Sequence, residues 1–427
     1  STLFFREETM KKLLIAVLCL MLTGCAAPVP SDRSGSDLSA SSDTPAPSPT
    51  VSSSHSEESD SSQAAPETDP DPVEHSSASQ QASESSLGPQ NQEQIIQELL
   101  SAMTLEEKVG QMFFVRCPET GGAELAAQYK LGGYLLFGRD FKDKTAQQVR
   151  DDIQSYQDAS GIPLLIGTDE EGGTVVRASS NPDLFPQREP APQTLFAQGG
   201  MDLILQDAHQ KSMTLLDLGV NVNFAPVADV STDPADFIYA RSFGQDAQAT
   251  AGYVAQVVGV MEEEHIGSVL KHFPGYGNNV DTHTGIALDQ RPYETFQTAD
   301  FLPFQAGIQA GADAVLVSHN IAASMDESLP ASLSPTVHQI LREALGFDGV
   351  VLTDDLAMDA VMEYAQNGSA AVLAIQAGND MVVTTDFQTQ IPQVIHAVQS
   401  GVIAESQIDQ AVTRVLNWKY ELGLLGN

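Results

Sequence analysis

Thirteen residues, Lys271-His272-Phe273-Pro274-Gly275-Tyr276-Gly277-Asn278-Asn279-Val280-Asp281-Thr282-His283, hold the densest cluster of reactive side chains in the sequence. Two glycines and a proline make this an irregular loop, and Asp281 and His283 stand two apart on it. In an extended or turn conformation an aspartate at that spacing can bond a ring nitrogen of the histidine, fixing its tautomer and raising its basicity. His283 is therefore predicted to be a general acid/base that Asp281 orients; a histidine on a loop can equally be solvent-exposed. Farther along, Asp354 directly follows the apolar run Val350-Val351-Leu352-Thr353, so its backbone should be rigidly placed. A carboxylate that traps a positive anomeric carbon, with an acid that protonates the leaving oxygen, is what retaining cleavage of an acetal requires. Asp354 is the predicted nucleophile, and Asp355 is the predicted cap of the helix that follows. The plainer reading makes both of them helix caps.

Other chemistries find less support. His272, His283 and Asp281 lack the H-x-x-x-H or H-E-x-x-H spacing of a metal site, so no metal and no organic cofactor is expected. No G-x-S-x-G elbow is present, and Gly275-Tyr276-Gly277 is too short to cradle phosphate. Cys19, Cys25 and Cys117 sit in such different surroundings that no disulfide framework follows, and Cys117 reads as a small buried hydrophobe.

Positioning these groups requires a scaffold, and the sequence supplies a repeated one. Short apolar runs at Met112–Cys117, Gly132–Phe137, Pro163–Thr168, Val222–Pro226, Ser268–His272, Ala314–Ser318, Val350–Thr353 and Met381–Thr384 are separated by helix-length stretches. Eight buried strands alternating with helices predict an α/β fold of the (β/α)8 TIM-barrel type. An open doubly wound sheet is the alternative, but no dinucleotide fingerprint follows the first strand. A barrel gathers its chemistry at the carboxyl ends of its strands. Asp169, Asp229, Lys271-His272, His319, Asp354-Asp355 and Asp386 each close one of these runs. Ahead of them, Ile95, Ile96, Leu99, Leu100 and Met103 have amphipathic helical spacing, and Thr104-Leu105-Glu106-Glu107 offers a capping box.

The chain has 57 acidic against 20 basic side chains, a formal charge of −37, which argues against nucleic acid as a partner. That charge is uneven: +1 over residues 1–25, −10 over 26–90 and −28 over 91–427. Lys11 and Lys12 precede ten apolar residues that end in Leu22-Thr23-Gly24-Cys25. This is too short to span a bilayer but suits the centre of a secretory signal, with Met10 as its natural start. Residues 26–90 carry twenty serines with prolines and acids, a composition that cannot offset chain entropy and should stay disordered. Such a coil reaches roughly 45 Å. The expected domains are thus a signal over 1–25, a tether over 26–90 and one catalytic barrel over 91–427.

The residues also carry a resemblance. Thr104 to Met112, Gly167-Thr168-Asp169-Glu170-Glu171-Gly172-Gly173, Asn223 to Val230, Ala240-Arg241-Ser242-Phe243-Gly244, Lys271 to His283 and Thr353-Asp354-Asp355-Leu356 together resemble the motifs of glycoside hydrolase family 3, over essentially all of 91–427. Within it they are similar to the single-domain bacterial β-N-acetylglucosaminidases, so a single catalytic domain is expected up to Asn427. The resemblance implies Asp354 as nucleophile, His283 with Asp281 as acid/base, and Asp169, Arg177, Arg241, Lys271 and His272 as holders of sugar hydroxyls, with His319 close by. It implies a retaining exo-enzyme that releases terminal GlcNAc, with peptidoglycan fragments as the expected source. A neutral imidazole in place of a glutamate base would also admit phosphorolysis. The end of the signal resembles a lipobox, which makes Cys25 the expected lipidation site. The protein would then be held outside the bacterial cytoplasmic membrane by that anchor alone, as a monomer. A β-glucosidase on the same barrel and a catalytically silent sugar-binding lipoprotein are the rival readings. Thr174 and Tyr276 depart from the family pattern, which often has arginine and histidine there, and Tyr276 is expected to stack on a sugar face.

Overall fold

The computed structural model describes residues 89–279, 287–358, 361, 364 and 369–426. Cys25, Asp281 and His283, together with the signal and nearly all of the tether, lie outside the described residues. The first described helix, Pro89–Ala102, takes in the last two residues assigned to the tether. The next, Leu105–Gln111, starts with the anticipated capping box: Thr104 Oγ1 accepts from the Glu107 amide at 3.2 Å, and Glu107 Oε2 accepts from the Thr104 amide at 2.8 Å.

Eight parallel strands follow the expected runs. They are β1 (Phe113–Arg116), β2 (Gly133–Leu136), β3 (Leu165–Thr168), β4 (Val222–Asn223), β5 (Gly267–Phe273), β6 (Ala314–Val317), β7 (Val350–Thr353) and β8 (Val382–Thr384). Their order in space is β8-β1-β2-β3-β4-β5-β6-β7. A parallel bridge from Leu352 to Met381, next to β8, joins the two ends of this row and makes it a barrel. Helices between successive strands cover the outside, which is why the strands read as apolar on both faces.

Alternation along each strand divides the core into two layers. Phe114, Leu135, Leu165, Phe224, Val269, Leu316, Leu352 and Val383 pack inside the barrel, whereas Phe113, Val115, Ile166 and Val351 face the helices. Inside, Phe114 and Phe224 meet edge to face at 5.1 Å, and a Cβ on Gly167 would lie 2.7 Å from the Phe224 ring. Glycine at that place is what lets the two rings fill the barrel. Val415 and Trp418 of the C-terminal helix Glu405–Glu421 belong to this inner layer, with Trp418 against Gly267 at the start of β5. They plug the amino-terminal end of the barrel, and the carboxyl end carries the cavity.

A feature the sequence did not suggest is a short parallel ladder, Leu288–Asp289 with Ile321–Ala322, which ties the segment after β5 to the segment after β6. Arg291 holds the same place. It pairs with Asp289 at 2.7 Å and Asp300 at 3.0 Å and donates to the Gly275 carbonyl at 3.2 Å, so it joins the two ends of the loop that bears Asp281 and His283.

Candidate active site

A cavity of about 280 Å³ opens at the carboxyl ends of the strands, lined among others by Asp169, Arg177, Arg241, Lys271, His272 and Asp354. Strands β3, β5 and β7 deliver Asp169, Lys271-His272 and Asp354 directly. Arg177 and Arg241 come from loops, so their positions depend on contacts rather than on strand geometry.

Two carboxylates organise the cations. Lys271 Nζ lies 2.7 Å from Asp169 Oδ1 and 2.6 Å from Glu171 Oε1. Arg241 grips Glu171 with both ends of its fork, Nε to Oε2 at 2.9 Å and the terminal nitrogen to Oε1 at 2.7 Å. Burial alone would raise the Glu171 carboxyl, but the Arg241 and Lys271 charges outweigh it and hold the group well below its ordinary value. Burial opposes the charge on Arg241 too, yet the Glu171 carboxylate raises its pKa above the usual arginine range. Arg177 donates to Asp169 Oδ2 at 3.3 Å. Its loop is set by Glu170, which is fully buried and accepts from the amides of Arg177, Ala178 and Ser179 at 3.0, 2.7 and 3.3 Å and from the Ser179 hydroxyl.

His272 is oriented from behind by Asp229, which is 0% exposed. Asp229 Oδ2 lies 2.7 Å from His272 Nδ1 and accepts from its amide at 3.0 Å, while Oδ1 accepts from the Tyr276 amide at 2.7 Å. With the Nδ1 proton held by that carboxylate, Nε2 is left as the acceptor facing Arg241 at 3.1 Å. The peptide bonds Lys271–His272 and Phe273–Pro274 are both cis. At the nucleophile position, Asp354 Oδ1 accepts from the Asp355 amide at 2.8 Å, and Asp355 Oδ1 accepts from the Ala357 amide at 2.9 Å. Asp355 thus caps the turn after β7, and Asp354 is the member of the pair that ends the strand. This arrangement can grip a neutral, hydroxyl-rich ring through alternating acceptors and donors and present a carboxylate to one of its carbons.

Three expectations need correction. His319 does not line the cavity: it is fully buried, with Nδ1 2.7 Å from Ser332 Oγ and Nε2 3.0 Å from the Asp355 carbonyl. Its place is to brace the turn beside Asp354. Tyr276 is 1% exposed and packs edge-on against His272 at 5.1 Å, so its ring supports the histidine and is not available to stack on a sugar. Asp386 is exposed at the start of the helix Phe387–Gln399 and is absent from the cavity lining. Cys117 is buried as expected, and burial pushes its thiol up to about 12. Among the described residues, no three His, Cys, Asp or Glu side chains converge as metal donors.

Glu171, Glu170 and Arg116 were not singled out from the sequence as site residues, and Asp229 was named only as a strand end, not as the partner of His272. The first two stood in the quoted Gly167–Gly173 motif, but nothing in the order of residues tells which of two adjacent glutamates turns toward the cations. Arg116 closes β1 and so obeyed the strand-end rule unnoticed.

The sequence profile described as the glycosyl hydrolase family 3 N-terminal domain matches residues 104–418. The chain belongs to this family. It is therefore a glycoside hydrolase, and the Asp169, Lys271 and Asp354 cluster lies at the carboxyl end of the barrel, where such an enzyme keeps its chemistry. A relative named β-hexosaminidase from Stenotrophomonas maltophilia strain R551-3 is 35% identical over 318 residues, covering 71% of this chain and 89% of that protein. Among solved structures, a glycoside hydrolase family 3 β-N-acetylglucosaminidase from Paenibacillus sp. FPU-7 superposes with a TM-score of 0.70 at 30% identity, covering 76% of this chain and 64% of that one. A β-N-acetylhexosaminidase from Beutenbergia cavernae superposes with a TM-score of 0.65 at 28% identity, covering 74% and 98%. The family 3 fold of this chain thus spans nearly all of the shorter relatives and under two thirds of the Paenibacillus protein.

Proposed function

We propose that the protein is a retaining exo-β-N-acetylglucosaminidase that removes terminal non-reducing β-linked GlcNAc, with peptidoglycan fragments as its source. The observation that carries this reading is the single cavity in which Asp354 faces the Asp169, Arg177, Arg241, Lys271 and His272 group. A volume of about 280 Å³ suits one sugar ring, consistent with trimming from an end. Relatives named β-hexosaminidase and β-N-acetylglucosaminidase favour GlcNAc over glucose as that ring.

In the first step a carboxylate oxygen of Asp354 bonds to the anomeric carbon while the glycosidic C–O bond breaks, and His283, oriented by Asp281, gives its proton to the departing oxygen. In the second step water attacks the glycosyl-Asp354 ester, His283 takes the water proton, and Asp354 leaves as carboxylate. Around this centre we place a signal over 1–25, a tether over 26–90 and a barrel over 91–427, lipid-anchored through Cys25 outside the cytoplasmic membrane as a monomer. Labelling with a radioactive fatty acid should mark the wild type and not Cys25→Ala; equal labelling removes the anchor.

The activity test is hydrolysis of an aryl β-GlcNAc glycoside beside the corresponding glucoside. Cleavage of the GlcNAc compound that Asp354→Ala abolishes is the expected result. Faster cleavage of the glucoside would replace GlcNAc by glucose, and equal turnover by Asp354→Ala would remove the nucleophile.

A further inference from the structure

A second group of buried ionisable side chains lies against the turn that carries Glu171. Asp207 and Lys211, four apart on the helix Pro192–Asp217, pair at 3.0 Å, and Glu189 reaches them from the preceding segment, with Oε2 3.8 Å from Lys211 Nζ. One cation thus faces two carboxyl groups. Asp207 is the closer, and Glu189 Oε2 is buried with no donor to accept from. Burial, and after it the Asp207 carboxylate alongside, push the Glu189 carboxyl up to about 8, so at neutral pH it keeps a proton and donates to Asp207. Burial opposes the charge on Lys211, and Asp207 outweighs it. The other charges near Glu189 are Glu170, from the loop after β3, and Arg188, whose guanidinium donates to the Gly173 carbonyl at 2.9 Å. Tyr253, on the helix Ala247–Glu263, is buried within reach of the Asp207 and Glu171 charges.

The backbone of Glu189 meets the active-site loop. Its carbonyl accepts from the Gly173 amide at 2.8 Å, and its amide donates to Ser179 Oγ at 3.0 Å. Ser179 in turn donates to Glu170, the anchor of the Arg177 loop, while Gly173 stands two residues from Glu171, which holds Arg241 and Lys271. The two segments touch closely. A Cβ on Gly172 would lie 2.2 Å from the Pro190 carbonyl oxygen, and one on Gly173 would lie 2.7 Å from the Ala191 Cβ. With no slack between them, a displacement of residues 189–191 is passed on to the turn.

We infer that Glu189 is a positioning residue of the glycosidase: its side chain fixes residues 189–191 to Asp207 and Lys211, and its backbone holds the turn from which Glu171 orders the sugar-binding cations. The inference rests on the proposed exo-glycosidase reading and adds to it a residue outside the cavity lining. Loss of the Glu189 proton removes the donor to Asp207 and sets two carboxylates side by side, which shifts the segment and weakens sugar binding. A proton on Glu189 and a sugar in the cavity are then linked ligands, each raising the affinity for the other by the same factor.

The test measures KM and kcat for an aryl β-GlcNAc glycoside on both sides of about pH 8, with calorimetry of GlcNAc binding in buffers of different ionisation heat. It compares the wild type with Glu189→Gln and Asp207→Asn. Glutamine keeps the shape and the donor of the protonated acid but does not ionise. As pH rises through that value the wild type should lose affinity by about fivefold or more, in a step of KM that kcat does not share, and should take up protons on binding GlcNAc. In Glu189→Gln the step and that share of the proton uptake should vanish. In Asp207→Asn, where Glu189 has lost its like-charged neighbour, the step should move to lower pH. A merely structural brace would alter affinity or stability at every pH without moving the step. The same step in Glu189→Gln overturns the inference, and so does a wild-type affinity that stays flat across this range. Hydrolysis is read separately: a wild type that binds GlcNAc without cleaving the glycoside removes the proposed activity while calorimetry still decides the role of Glu189, and one that binds no GlcNAc removes both.

Discussion

Glu171→Gln is the sharpest probe of how the cavity is held together, because it keeps the shape of the side chain and removes only its charge. In the wild type that charge is 2% exposed and meets Arg241 at 2.7 Å and Lys271 at 2.6 Å. The two cations lose unequally. Lys271 keeps Asp169 at 2.7 Å, whereas Arg241 loses the one carboxylate it pairs with among the described residues and keeps His272 Nε2 at 3.1 Å. Removing one partner of a buried ion pair costs about 3–5 kcal/mol. Since a glutamine oxygen can still accept one bond and Lys271 stays paired, the lower end applies, about 3 kcal/mol. Urea unfolding of the wild type and the variant at pH 7 measures it. Repeating the titration in 1 M salt should leave the difference nearly intact, because buried charges are poorly screened. A loss under about 1 kcal/mol, or one that high salt abolishes, would refute the assignment of Glu171 as the buried anchor of both cations. Activity should fall as well, with KM rising as Arg241 loses its orientation. The pH dependence has a definite sign. Because the Glu171 carboxyl is held below its ordinary 4.5, its contribution is complete above that value and drains away as pH falls further. Glu171→Gln should flatten that acid limb.

Four further outcomes are expected. Burial pushes the Lys419 amine down to about 7 from an ordinary 10.5, so between those values the unfolded chain binds the extra proton and stability rises with pH. Urea midpoints measured from pH 7 to 9.5 should climb in the wild type and stay level in Lys419→Met. Arg291→Gln breaks the bonds to Asp289, Asp300 and the Gly275 carbonyl, and is expected to lower stability by about 2–4 kcal/mol and to reduce kcat more than it raises KM, as steady-state kinetics beside chemical denaturation would show. Gly275→Ala, at φ +120° with its Cβ 2.4 Å from Asp300 Oδ1, should depress the thermal midpoint on its own. Asp229→Asn puts an amide group among three donors, and should cost about 1–3 kcal/mol and weaken substrate binding through His272, read as a higher KM.

The eight strands and their order were legible in the sequence because a parallel strand covered on both faces must be apolar throughout, and a run such as Val350–Thr353 has few other uses. The strand-end rule then located Asp169, Lys271, His272 and Asp354 without any contact being known. The same rule also picked His319 and Asp386, which the structure keeps out of the cavity lining, since a strand end can feed a brace or a helix start as readily as a binding group. The Leu288–Asp289 ladder was not legible, because two residues are too few for any periodicity.

The sequence by itself therefore determined the barrel, the side of it on which chemistry collects, and the carboxylate that ends β7. These follow from local rules of patterning and from motifs whose residues are contiguous. Tertiary structure decided how the charges are shared: Glu171 between Arg241 and Lys271, Asp229 behind His272, Tyr276 turned inward, and Arg116 left with an aromatic ring in place of a carboxylate. Ion pairing depends on distances between residues 70 to 102 apart in the chain, and only the closed ring brings them within 3 Å.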